Sequence, residues 1–170
     1  LAYFEFKSLP VKLMSESILV GNSAVAINQT EYQFQYDYKG IEALAKFDFF
    51  LVRNFNSRIS YSYLVNNSAP DELNKGSDFF FSQDIYNTKK MAVALNYDYF
   101  KIDSDASIAA YSDNNLQTNR IGYLAGFEFK LKQLLSVTIR SGERDVLIEN
   151  GFQIRERNII LKLETINVEI

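Results

Sequence analysis

Residues 47–65 read FDFFLVRNFNSRISYSYLV, two runs of alternating apolar and polar side chains around a short polar break. A period of two puts successive side chains on opposite faces, so each run is a strand and the break, residues 53–57, is a hairpin turn. In the first strand Phe47, Phe49 and Leu51 share a face opposite Lys46 and Asp48, and in the second Ile59, Tyr61, Tyr63 and Val65 oppose Arg58, Ser60 and Ser62.

The same pattern spreads outward. Upstream, EYQFQYDYKG at residues 31–40 sets Tyr32, Phe34, Tyr36 and Tyr38 against Glu31, Gln33, Gln35 and Asp37. Downstream, residues 91–112 read as a second hairpin with a tight turn near 103–105, and Met91, Val93, Leu95, Tyr97 and Tyr99 face away from Ala92, Ala94, Asn96 and Asp98. A third hairpin spans residues 120–142. Ile121, Tyr123, Ala125, Phe127, Phe129 and Leu131 oppose Gly122, Gly126, Glu128 and Lys130, its turn lies at 132–135, and Val137 and Ile139 continue the apolar face past Thr138 and Arg140. The last run, NIILKLETINVEI, is strand-like and carries Lys162 and Glu164. The first 20 residues give one or two more strands, interrupted at Pro10. Helical spacing is hard to find anywhere, and is only weak at 71–75, where it reads as a single turn. Between the hairpins lie longer polar connections at 66–88, 113–119 and 143–157, so short turns alternate with long loops.

The expected fold is therefore all-β: an antiparallel up-and-down meander β-barrel of about eight to ten strands, with short turns on one side and long loops on the other. Residues 1–170 form one barrel domain, whole or as part of a larger barrel.

Composition narrows the chemistry. The chain has no cysteine and no histidine, which removes disulfides, thiol chemistry, serine triads and His-based zinc sites. The acid pairs Asp103/Asp105 and Asp71/Glu72 sit in turns or loops, where acids serve solvation and local hydrogen bonding, and their spacing does not match a twelve-residue calcium loop. The reading is a non-enzymatic protein with no catalytic residues, cofactor or metal. A net charge of -3 and the lack of a concentrated basic face argue against nucleic acid as a partner. The chain starts at Leu1 with no basic segment leading into an apolar run, the expectation for a chain whose signal peptide is removed or was never present. It lacks the long apolar stretch of a spanning helix, which leaves spanning strands open.

Alternation alone does not choose between water and lipid. Three features favour lipid. The apolar faces are rich in Tyr and Phe, with tyrosines gathered near strand ends as at a membrane interface. The opposite face mixes charges of both signs with small residues such as Ala92, Ala94, Gly122 and Gly126, which suits a crowded interior. The turn and loop lengths alternate as they do when the two ends of a barrel lie on opposite sides of a membrane.

On these patterns residues 31–170 resemble a bacterial outer-membrane β-barrel protein, small or porin-like. The chain departs from that family in ending on Ile170 instead of an aromatic residue and in holding seven glycines. The resemblance implies a place in the bacterial outer membrane, with lipid and possible further chains of a larger assembly as partners, and a role as small channel, structural anchor or surface-recognition protein. The expected lumen-facing residues are Lys46, Asp48, Asp98, Glu128, Lys130, Arg140, Lys162 and Glu164; the expected lipid-facing residues are Tyr32, Phe34, Phe47, Phe49, Tyr61, Tyr97, Phe127 and Phe129. The alternative is a soluble, periplasmic or secreted lipocalin-like barrel or sandwich, in which the rings point inward and hold a hydrophobic ligand or a protein partner.

Overall fold

A computed structural model describes residues 1–6, 11–28, 31–52, 55–108, 117–131 and 134–165. The fold is all-β and antiparallel. Eight strands form one large sheet in the order β1-β4-β5-β6-β7-β8-β9-β10, and β2 pairs with β3 in a separate two-stranded sheet. The strands are β1 (Ala2–Phe6), β2 (Ala24–Ala26), β3 (Tyr32–Phe34), β4 (Tyr38–Val52), β5 (Phe55–Asn66), β6 (Lys75–Asn87), β7 (Met91–Ile102), β8 (Arg120–Leu131), β9 (Leu135–Val146) and β10 (Glu156–Thr165), with one helix, α1 (Val11–Leu19). β4 to β10 form an uninterrupted meander, each strand paired with the next in sequence. Among the described residues the sheet ends at β1 on one side and β10 on the other, with no ladder joining them.

Two of the three expected hairpins are present: β4 with β5, where Phe47 faces Ile59, and β8 with β9, where Phe127 faces Ile139. The second is not. Residues 103–105 leave β7 into a long connection, and the hairpin partner of β7 is β6, hidden in what reads as the loop 66–88. β6 escapes the periodicity because Phe79, Phe80 and Phe81 run together, and a register shift between Asp84 and Tyr86 breaks the alternation again. Residues 31–40 are not one strand: Tyr32 and Phe34 belong to the small sheet, and Tyr38 opens β4. Within the first 20 residues β1 is followed by α1, which ends where Gly21 takes φ +129 and Asn22 N–H donates to Ser17 O at 3.0 Å. The single turn read at 71–75 is present over 71–73, where Leu73 N–H donates to Pro70 O at 2.9 Å, and Lys75 already belongs to β6. The connection read as 143–157 shrinks to 147–155 because β9 runs to Val146 and β10 starts at Glu156. Residues 109–116 and 166–170, which complete the expected second hairpin, the loop 113–119 and the last strand, lie outside the described residues.

All three short turns, β4-β5, β6-β7 and β8-β9, lie at one end of the sheet, and the longer connections β5-β6, β7-β8 and β9-β10 lie at the other, the end from which β4 also starts. The sheet is curled. Lys46, Ser60, Phe80, Asp98, Leu124 and Arg140, from the six consecutive strands β4 to β9, line one cavity of about 370 Å³. The buried core lies on that inner face: Ala92, Ala94 and Phe100 of β7 and Leu124 of β8, continued at the loop end by Ile102, Ala106 and Ile108.

Candidate functional site

Three surfaces can carry function: the inner face, the outer face and the loop end. On the inner face, small residues let long polar ones reach across. Arg140 Nη1 on β9 donates to Asp98 Oδ2 on β7 at 2.6 Å, passing over β8. The residue paired with Arg140 on β8 is Gly126, where a Cβ would stand 1.9 Å from Ile139 O, so only glycine lets β9 come this close. The guanidinium of Arg140 also lies 5.8 Å from the centre of the Phe80 ring. Towards the loop end Glu156 of β10 takes two cations, Arg120 Nη2 at 3.0 Å from β8 and Arg144 Nη2 at 2.6 Å from β9. Arg120 is almost wholly buried and also donates to Ile154 O. Towards the turn end Arg58 meets Asp48 at 2.7 Å, Lys130 meets Glu128 at 3.0 Å and Lys162 meets Glu164 at 2.8 Å.

All eight charged residues expected to face a lumen, Lys46, Asp48, Asp98, Glu128, Lys130, Arg140, Lys162 and Glu164, occupy this same face, by alternation and by register. Their surroundings differ. Asp98 keeps 8% of its surface exposed and its neighbour Asn96 keeps 2%, whereas Asp48, Lys162 and Glu164 stand near the edges of the sheet and are exposed. Arg120, Arg144 and Glu156 were not among the expected residues. Their even numbers put Arg120 on the side of Glu128 and Arg144 on the side of Arg140, a parity visible in the sequence.

The outer face is apolar and open. Phe47 is 64% exposed, Phe127 53% and Leu163 63%. Phe49, Tyr61, Tyr97 and Phe129 share this face; Tyr32 and Phe34 do not, because β3 is no part of the large sheet. Register orders the face into rows. Tyr61 pairs with Phe79, Phe79 with Tyr99 and Tyr99 with Tyr123, an unbroken aromatic row over four strands near the loop end. The row continues into Glu143 and Arg157, which meet at 2.7 Å. Below it towards the turn end run two more rows, Phe81–Tyr97–Ala125 and Leu95–Phe127–Ile139–Leu161.

At the loop end a buried polar network ties the connections together. Asp105 Oδ1 accepts from Tyr38 Oη and from Ser23 N–H, each at 3.0 Å, and its Oδ2 accepts from Ser104 Oγ at 3.0 Å. Asn66 Nδ2 donates to Asp105 O at 2.8 Å and to Asp37 O at 2.9 Å, while Asn22 Nδ2 donates to Ser104 O at 2.6 Å. Tyr38 is thus no surface ring: it is buried, with Phe34 edge-on to it at 5.1 Å. Asp103 and Asp105 are likewise buried, where the sequence reads them as solvated loop acids. Burial pushes the Asp103 carboxyl above the ordinary carboxylate range, against the Lys75 N–H that donates to it at 3.0 Å. Among the described residues no three acidic side chains converge on a space that could hold a metal ion. No protein-family model, no curated protein and no solved structure matches the chain.

Proposed function

We propose that the chain is a non-enzymatic β-barrel protein of a bacterial outer membrane, a strand-built anchor that holds its loop end out of the bilayer as a recognition surface. The observation that carries this reading is the outer face. Apolar side chains in register from β4 to β10, bounded by the row Tyr61–Phe79–Tyr99–Tyr123, stand open on one side of the sheet while Asp98, Glu128, Lys130 and Arg140 turn to the other. In water so broad an apolar surface is a liability; in lipid each ring or branched side chain gains about 1.5–3 kcal/mol from burial, and tyrosines at the row's level match a headgroup boundary. No helix among the described residues is long and apolar enough to cross a membrane, so any crossing falls to the strands.

Of the roles such a barrel could play, anchoring and recognition suit this one better than conduction. An eight-stranded barrel has an interior just wide enough for side chains to fill. Here the Arg140–Asp98 and Arg120–Glu156 contacts bridge the inner face from strand to next-but-one strand. The test is to refold the chain with and without detergent. A detergent requirement, together with compact migration on a denaturing gel until boiling, is expected; a freely soluble monomer would reverse the facing and favour a soluble ligand-binding barrel.

A further inference from the structure

We propose that the inner cavity binds a small zwitterion of dipeptide length, its ammonium directed to Glu42 and its carboxylate to Lys46. The inference goes beyond the membrane reading: it stands on the inner face alone, whatever covers the outer one.

The signal is a break in the pattern of pairing. Elsewhere on this face Arg58 meets Asp48, Lys130 meets Glu128, Ser57 Oγ donates to Gln83 Oε1 at 2.6 Å and Ser136 Oγ to Glu128 Oε1 at 3.0 Å. The wall that β4 and β5 give the 370 Å³ cavity is different. Glu42, Lys46, Ser60 and Ser62 all line it, and none of them makes a hydrogen bond or ion pair with another described residue. The next carboxylate along β4, Asp48, is already held by Arg58. Across the cavity Arg140 Nε is buried and has no hydrogen-bond partner among the described residues.

Register puts these groups in order. Lys46 pairs with Ser60, Ser60 with Phe80 and Phe80 with Asp98. One row nearer the loop end Leu44 pairs with Ser62 and Ser62 with Asp78, and Glu42 lies a row beyond. Arg140 enters from the turn-end side, where it pairs with Gly126 and reaches up to Asp98. The cavity thus has carboxylates at its loop-end rim, Glu42 and Asp78, and cations at its turn-end rim, Lys46 and Arg140. Two hydroxyls lie between, and Phe80 and Leu124 supply apolar wall.

That polarity selects the ligand. A lone anion would be repelled by Glu42 and Asp78, and a lone cation by Lys46 and Arg140; a molecule carrying both charges and lying along the strand is attracted at each end. Length follows from the strand. Four residues set Glu42 and Lys46 about 13 Å apart. A charge-assisted hydrogen bond of about 3 Å at each end leaves about 7 Å, the span of two extended residues. Ser60 and Ser62, on the neighbouring strand, fall beside the middle of such a molecule, where its peptide N–H and C=O would be.

Dialanine is the probe, its methyl groups small enough to sit beside Phe80 and Leu124. The full chain, refolded in detergent, would be examined by equilibrium dialysis against dialanine, N-acetyl-dialanine, which lacks the cation, and dialanine amide, which lacks the anion. Dialanine should bind saturably and about ten-fold or more tightly than either blocked form, the loss expected for one charged hydrogen bond. Lys46→Met should weaken dialanine by a similar factor and leave the amide unchanged, whereas Glu42→Gln should weaken dialanine and leave the acetylated form unchanged. Both side chains are exposed, so neither variant should disturb the fold. No saturable binding of dialanine at about 1 mM, equal affinity for the blocked forms, or the same loss for every probe in either variant would overturn the proposal. Whether refolding needs detergent is scored separately, so the membrane reading and this site can fail independently.

Discussion

Arg140 on β9 and Asp98 on β7 meet at 2.6 Å across an intervening strand. The contact passes over β8 at Gly126, the residue paired with Arg140, where no side chain stands in its way. Charge and a missing Cβ are here a single device.

Removing one member of that pair should expose the device. Arg140→Ala leaves the largely buried Asp98 without its closest cation and should cost about 1–3 kcal/mol, between an exposed pair and a fully buried one. Urea titration of the refolded protein would measure it. The double variant Asp98→Asn with Arg140→Gln should recover part of the loss; losses that simply add would show that the two residues act separately.

Gly126→Ala places a methyl group against the β9 backbone and should cost about 1–3 kcal/mol through overpacking. Ala125→Val, one residue away and pointing to the outer face, should be mild. Comparable midpoints for the two variants would argue against the close approach of β8 and β9.

Phe127→Arg tests the facing of the sheet. In vesicles it should lower the folded fraction by about 2–4 kcal/mol if the site lies near the bilayer midplane, while Lys130→Ala on the opposite face should fold nearly as the parent does. Equal and small effects in vesicles would contradict a lipid-facing Phe127.

How far the residues announce all this depends on the element. Alternation made β4, β5, β8 and β9 plain, and parity alone put Asp98, Glu128 and Arg140 on one face. It failed at β6, where Phe80 turns inward between two outward rings and the strand cannot be told from a polar loop with an apolar cluster. It failed too at Tyr38 and Asp105, whose hydrogen bond joins residues 67 apart in sequence. Period-two patterning reports which face a residue takes and nothing about which loop folds over it, so the buried Tyr38 at the start of β4 looks the same as the exposed Tyr61 within β5.

The loop-end network should come apart locally. Asp105→Ala removes the acceptor for Tyr38, Ser23 and Ser104. Limited proteolysis should then cut near residues 17–23 while the strands stay protected. Cleavage spread through the strands would mean that the network supports the whole sheet.

Asp103 carries a pH signature. Its carboxyl holds a proton more readily in the folded chain than in the unfolded one, because burial raises its pKa. Its contribution to stability is therefore complete below the ordinary aspartate range and declines as pH rises through the raised value. Asp103→Asn keeps an oxygen for the Lys75 amide and should flatten that decline. The difference between parent and variant, followed by thermal melts from acid to neutral pH, isolates this one group.

The one-sided distribution of connections gives the molecule unequal tolerance. Lengthening a turn between β4 and β5 or between β8 and β9 would disturb the registers that align the rings. Residues 149–151, between β9 and β10, are mostly exposed and belong to no ladder. A foreign peptide grafted there would be carried on the outside of the fold with every strand pairing unchanged, which makes this end the natural display surface and the place where such a chain can acquire new targets.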